Sequence, residues 1–185
     1  MSNFLFYLKV KPFIAQWLIH HYGNPVTFPD GSDENDCIHL FIRKRPKNAD
    51  AATISKPELT DEEKKKHMLL AFSIPECRAK PVETYNYMSP MAGSALLEVI
   101  EWRFNNQLWK DLKDSFEKKF TLLKAVRGWC IDNGIDIDYD YTIKMRLQRK
   151  KKRHLKYGVD TRRANRKNEE VTTQYPLPEN VRSQR

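Results

Sequence analysis

Between residues 144 and 167 the chain carries twelve basic side chains and one acid, Asp160. The cations are Lys144, Arg146, Arg149, Lys150, Lys151, Lys152, Arg153, Lys156, Arg162, Arg163, Arg166 and Lys167. Charge of this density cannot enter a core, because an ion buried without a partner is strongly destabilising. Whatever the chain folds into, this stretch must keep one side in water. The segment sums to +11 against +9 for the whole chain, which leaves −2 on the other 161 residues. A near-neutral body with a cationic segment attached is the electrostatic footprint of a protein that meets a polyanion, most often nucleic acid.

The body can bury a core. At 185 residues and 40% hydrophobic content, with four Trp, eight Tyr and nine Phe, it suits one domain or two small ones. Only six Gly and 31% charged residues exclude a fibrous or low-complexity chain. Cys37, Cys77 and Cys130 are scattered and odd in number, which argues against a secreted disulfide framework and for a reducing cytoplasm. The apolar start, Phe4 to Leu8, is interrupted by Lys9 and Lys11 and closed by Pro12. It is too short for a signal-peptide core, and no run approaches the roughly 18 apolar residues of a membrane span. A cytoplasmic chain with no membrane partner is expected.

The predicted fold class is α+β: a small N-terminal sheet with one main helix over residues 1–88, then a helical region over 89–160 that resembles a helix-turn-helix. The two parts are expected to pack as one compact unit, with 161–185 as a basic, disordered tail. A strand is read at 4–10. Pro12 then opens a helix to about Tyr22, with Phe13, Ile14, Trp17, Leu18 and His21 on one face and Gly23 at its end. Turn residues flank the apolar piece Val26 to Phe28. A second strand is predicted at 37–43, and most of 44–66 reads as an exposed insertion. Within it, Thr60 and Glu63 have capping-box spacing for a short helix. A third strand, 68–74, stops at Pro75, and a loop or edge segment follows to residue 88.

Ser89 before Pro90 signals the next helix, whose stripe is Leu97, Ile100, Phe104, Leu108 and Leu112, with a break conceivable at Asn105-Asn106. Trp102 and Trp109 lie seven apart on another side of it. They suit either a stacking or partner surface, or a helix buried on two sides. A further helix spans about 119–133, with Leu122, Leu123, Val126, Trp129 and Cys130 inward, and stops at Asn133-Gly134.

The segment from about 139 to 157 carries the functional expectation. Spaced at about 100° per residue, Tyr139, Ile143, Leu147, His154 and Tyr157 form a docking sector. Arg146, Arg149, Lys152, Arg153 and Lys156 oppose it. Asp136, Asp138 and Asp140 stand at the helix start, where the macrodipole favours acids. With the preceding helix this resembles a DNA-binding helix pair. Arg146 and Arg149 are the candidates for base contact, and Lys150, Lys151, Lys152 and Arg153 for phosphate. Lys144, Lys156, Arg162 and Arg163 extend the candidate nucleic-acid-binding set, and Tyr141 and Met145 are candidates for a base or partner contact. The acids at the helix start would repel phosphate, which favours backbone clamping over base reading there. A competing local reading is a strand, since Ile135, Ile137, Tyr139, Tyr141 and Ile143 alternate with polar residues. A solvated basic face is the bland alternative for the whole segment.

No cofactor or metal is expected. An EF-hand starting at Asp136 would need Gly at its sixth place and Glu at its twelfth, where Tyr141 and Leu147 stand. His20-His21 and Cys37-x-His39 lack the companion spacing of a zinc site. The sequence has no glycine-rich phosphate loop, and no Ser, His and Asp set stands out, although active-site residues need not be contiguous. The favoured function is therefore non-enzymatic nucleic-acid binding, with duplex DNA ahead of RNA. An assembly protein whose basic segment meets an acidic partner comes second, and a nuclease or relaxase third.

Three stretches carry a resemblance: Leu8-Lys9-Val10-Lys11-Pro12-Phe13-Ile14-Ala15-Gln16-Trp17-Leu18, Lys80-Pro81-Val82-Glu83-Thr84-Tyr85-Asn86-Tyr87-Met88, and Trp129-Cys130-Ile131-Asp132-Asn133-Gly134-Ile135-Asp136. They resemble a group of uncharacterised proteins from gut Bacteroidetes genomes. The resemblance spans about residues 4–165 and implies no established activity.

Overall fold

The computed structural model describes residues 4–44, 46, 58–116 and 121–156. Much of the expected insertion, the approach to the 119–133 helix and everything after Lys156, including Tyr157 and the expected tail, lie outside the described residues. Among those described, the fold is α+β, with a two-stranded antiparallel sheet and six α-helices.

Strand β1 (Leu5–Val10) and helix α1 (Pro12–Tyr22) follow the apolar start. Pro12 takes the first helical turn, where its missing N–H is no loss. The buried face of α1 is Phe13, Ile14, Ala15, Trp17 and Leu18. His21 lies at the edge, its Nε2 3.0 Å from Asn133 Oδ1. Of residues 37–43, expected as a strand, 37–41 belong instead to helix α2 (Asp33–Phe41), Ile42 is its extended C-cap, and Arg43 makes an isolated antiparallel bridge with Tyr87. Ser32 caps it by accepting from Asn35 N at 3.2 Å, and Asp33, Glu34 and Asp36 fill the first turn. These start signals outweigh the β-like composition of Cys37 to Ile42. A short apolar run looks the same in a buried strand and a buried helix.

Helix α3 (Asp61–Lys66) carries the complete Thr60–Glu63 capping box, and no side chain in it is buried. Strand β2 (Met68–Ser73) returns along β1, pairing Phe6 with Phe72, Leu8 with Leu70 and Val10 with Met68. The rings of Phe6 and Phe72 stack with centroids 5.3 Å apart. Val26 bridges β2 as well, donating to Ala71 O and accepting from Ser73 N, both at 2.9 Å.

Helix α4 (Pro90–Leu112) runs unbroken through Asn105-Asn106 and continues into a 3-10 turn at Lys113–Phe116. Leu96, Ile100, Phe104, Leu108 and Leu112 form its buried stripe, one residue per turn. Leu97, read as part of that stripe, is only partly buried against the core. Gly93 lets α4 approach the sheet closely: a Cβ there would lie 2.7 Å from Leu8 Cδ2. Arg103 reaches across to α2 and pairs with Glu34, a carboxylate 1% exposed.

Helix α5 (Leu122–Asp132) ends at Gly134, whose φ of +66° favours glycine. A 3-10 turn at Ile137–Tyr139 then leads into helix α6 (Asp140–Lys156). The alternative strand over 135–143 does not form, because Asp136 accepts from Asp138 N and turns the chain into the helix. The buried side chains of the sheet, α1, α2, α4, α5 and α6 make one cluster. Phe104, wholly buried, touches the rings of Phe13, Trp17 and Trp129.

Candidate nucleic-acid interface

Helix α6 is seated by Ile143 and Leu147, both 0% exposed. Tyr139 packs against Phe13, and His154 lies over Trp109, so the four described members of the expected docking sector all face the body. Asp140 is also drawn inward. It accepts from Arg127 Nε of α5 at 2.7 Å, which neutralises one of the acids that would have opposed phosphate. Asp136 and Asp138 remain exposed.

The cations of α6 divide into two groups that the sequence does not separate. Arg146, expected on the outer face, turns toward α4. Its guanidinium sits 4.9 Å from the centre of the Phe13 ring and 3.5 Å from Glu101 Oε2. Glu101 also binds Lys11 at the start of α1, so one carboxylate ties α1, α4 and α6 together. Lys150 donates to Asn105 O at 3.0 Å and to Asn106 Oδ1 at 2.6 Å. Its burial against α4 pulls its pKa below the ordinary lysine value. Lys151 places its ammonium 4.0 Å from the centre of the Phe116 ring, a cation–π contact.

Arg149, Lys152 and Arg153 form the second group. All three are exposed, and among the described residues none has an ion-pair partner. At spacing of three and four they share one helix face. Lys144 and Met145 are half-buried, while Tyr141 is 64% exposed. Lys156 ends the helix with its side chain outside the described residues, and Arg162 and Arg163 lie beyond them.

Beside this face, α4 and α6 leave an open groove of about 720 Å³. Arg149, Arg153 and Trp102 line it, with Asn105 and Asn106 between. Its charged lining comprises four Arg and Lys side chains against one carboxylate, Glu101, and that carboxylate is already paired twice. The two tryptophans flagged on α4 have different fates. Trp109 is covered by His154 and Phe116, whereas Trp102 is 62% exposed. Sequence reasoning did not find Glu101, Asn105 or Asn106. They lie some 45 residues from their α6 partners, and no local pattern announces a contact at that separation.

Among the described residues, no group of three or more His, Cys, Asp and Glu side chains is placed to hold a metal ion. No helix among them is long and apolar enough to cross a membrane. No family model, curated protein or solved structure matches the chain.

Proposed function

We propose that this is a non-enzymatic nucleic-acid-binding protein that grips the DNA backbone with the outer face of α6. The observation that carries this reading is the exposed trio Arg149, Lys152 and Arg153, without ion-pair partners among the described residues, on a helix whose other side is locked to the core by Ile143 and Leu147. A cationic face on a helix docked to the core holds its charges where phosphates can meet them with no backbone to order at binding, so the cost is confined to side-chain rotamers. The driving force is release of counterions from the nucleic acid, which is steeply salt-dependent.

Titration with duplex DNA at several salt concentrations tests the reading. Affinity should fall as salt rises, with a log–log slope that shrinks by roughly 2 to 3 when Arg149, Lys152 and Arg153 are all changed to Ala. Absence of binding to duplex and single-stranded DNA alike at low salt, or an affinity indifferent to salt, would sink it.

A second reading rests on the exposed Tyr141 and, one turn before it, Ile137, which is 47% exposed. Apolar side chains beside cations also suit an assembly protein with an acidic partner. Light scattering with and without DNA separates the two, since the assembly reading requires a complex that forms without nucleic acid.

A further inference from the structure

From the groove between α4 and α6 we infer that the preferred substrate is single-stranded nucleic acid, with an unpaired base stacked on Trp102. This rests on the nucleic-acid reading of α6 and adds what that reading lacks, a place for a base. Trp102, Asn105 and Asn106 occupy one face of α4 at spacing of three and four, and all three line the groove. Across it stand Arg149 and Arg153, one turn apart on α6. An exposed indole, two amides and two guanidinium groups without ion-pair partners among the described residues thus converge on one open cavity.

Each component matches a part of an unpaired nucleotide. The indole offers an apolar face for stacking, which every base can use. The guanidinium groups can hold the phosphates on either side of that base. The amide of Asn105 has no hydrogen-bond partner among the described residues and can meet a base edge. The floor is rigid, because Lys150 is bonded to Asn105 and Asn106, and Arg146 to Glu101.

A duplex cannot use this arrangement. Its bases already stack on their neighbours, so an aromatic platform has no face to receive. Of the two α6 side chains expected to read base edges, Arg146 is held against α4 and α1, and Arg149 faces the groove. Trp109, two turns along α4, shows the alternative state of such a tryptophan: it is stacked on His154 and so engaged within the fold. Trp102 has no such ring over it among the described residues.

Fluorescence anisotropy with a labelled mixed-sequence single strand, the same strand in duplex form and an abasic strand of equal length provides the test. The single strand should bind more tightly than either of the others at one salt concentration. Trp102→Ala should weaken single-strand binding roughly five- to a hundredfold, leave the salt slope unchanged and remove the advantage over the abasic strand. Trp102→Phe should keep most of the affinity. Equal affinity of Trp102→Ala and the unmodified protein, or tighter binding of the duplex, overturns the inference while leaving backbone binding standing. Failure of all three probes to bind at low salt overturns both.

Discussion

The imidazole of His154 lies parallel to the indole of Trp109, with ring centroids 4.6 Å apart and planes 8° apart. This stack fastens the far end of α6 to α4, beyond the last fully buried anchor, Leu147. Stacked aromatic pairs contribute about 0.5–1.5 kcal/mol beyond their area burial. His154→Ala should therefore cost about that much stability and raise amide exchange in the last turns of α6, with α1 and the sheet unchanged. Hydrogen exchange resolved by residue checks this, and uniform protection across α6 in the variant would contradict it.

Leu147 shares the α6 seat with Ile143, both at 0% exposure. Leu147→Ala should destabilise the fold by about 2–5 kcal/mol, the cost of lost burial plus a residual cavity. Changing Arg149, Lys152 and Arg153 to Ala should shift the urea midpoint little, since exposed positions without partners carry about ±0.5 kcal/mol each. Comparing the two sets by urea unfolding separates the residues that hold the helix from those it displays.

Glu34 is buried and depends on Arg103 as its counter-charge. Arg103→Met leaves that carboxylate unpaired, and removing one partner of a buried pair costs roughly 3–5 kcal/mol. The side chain of Arg103 is 38% exposed, so the loss should fall at or below the lower end. Glu34→Gln in the Arg103→Met background should recover part of it. A double variant no more stable than Arg103→Met alone would show that the charge is not what matters.

Lys150 predicts a pH dependence. Burial lowers its folded pKa below the unfolded value of 10.5, so between those two values the unfolded chain binds more protons. Stability from this residue is therefore lowest while both states are protonated, and rises as pH increases through the window. Lys150→Met should flatten that rise. The check is the difference in unfolding free energy between the two proteins from neutral to alkaline pH. An unchanged pH slope would place the ammonium in open solvent.

Local signals in the chain are legible where one segment decides its own conformation. Pro12, Ser89-Pro90, the Thr60–Glu63 capping box and Asn133-Gly134 each mark a helix end within three residues of sequence. The strand expected at 37–43 failed because its outcome turned on the cap and acids just upstream and on the contact of α2 with α4. Arg146 and Lys150 illustrate the same limit at the candidate site. Their helix angle alone puts Arg146 outside, yet long side chains can lean from an outer position into a neighbouring helix. Which cation does so depends on where Glu101, Asn105 and Asn106 arrive.

By itself, the order of residues determined that a basic helix would exist, that one side of it would dock, and that all of the net positive charge would lie at or beyond that helix. Those are properties of periodicity and charge count, and they need no partner. Only the tertiary structure decided which cations bind to the body and which stay exposed, and that Trp102 is exposed while Trp109 is covered. The physical reason is distance along the chain. A groove between α4 and α6 is made by side chains about 45 residues apart, brought together only when the shared core of Phe104, Ile143 and Leu147 closes.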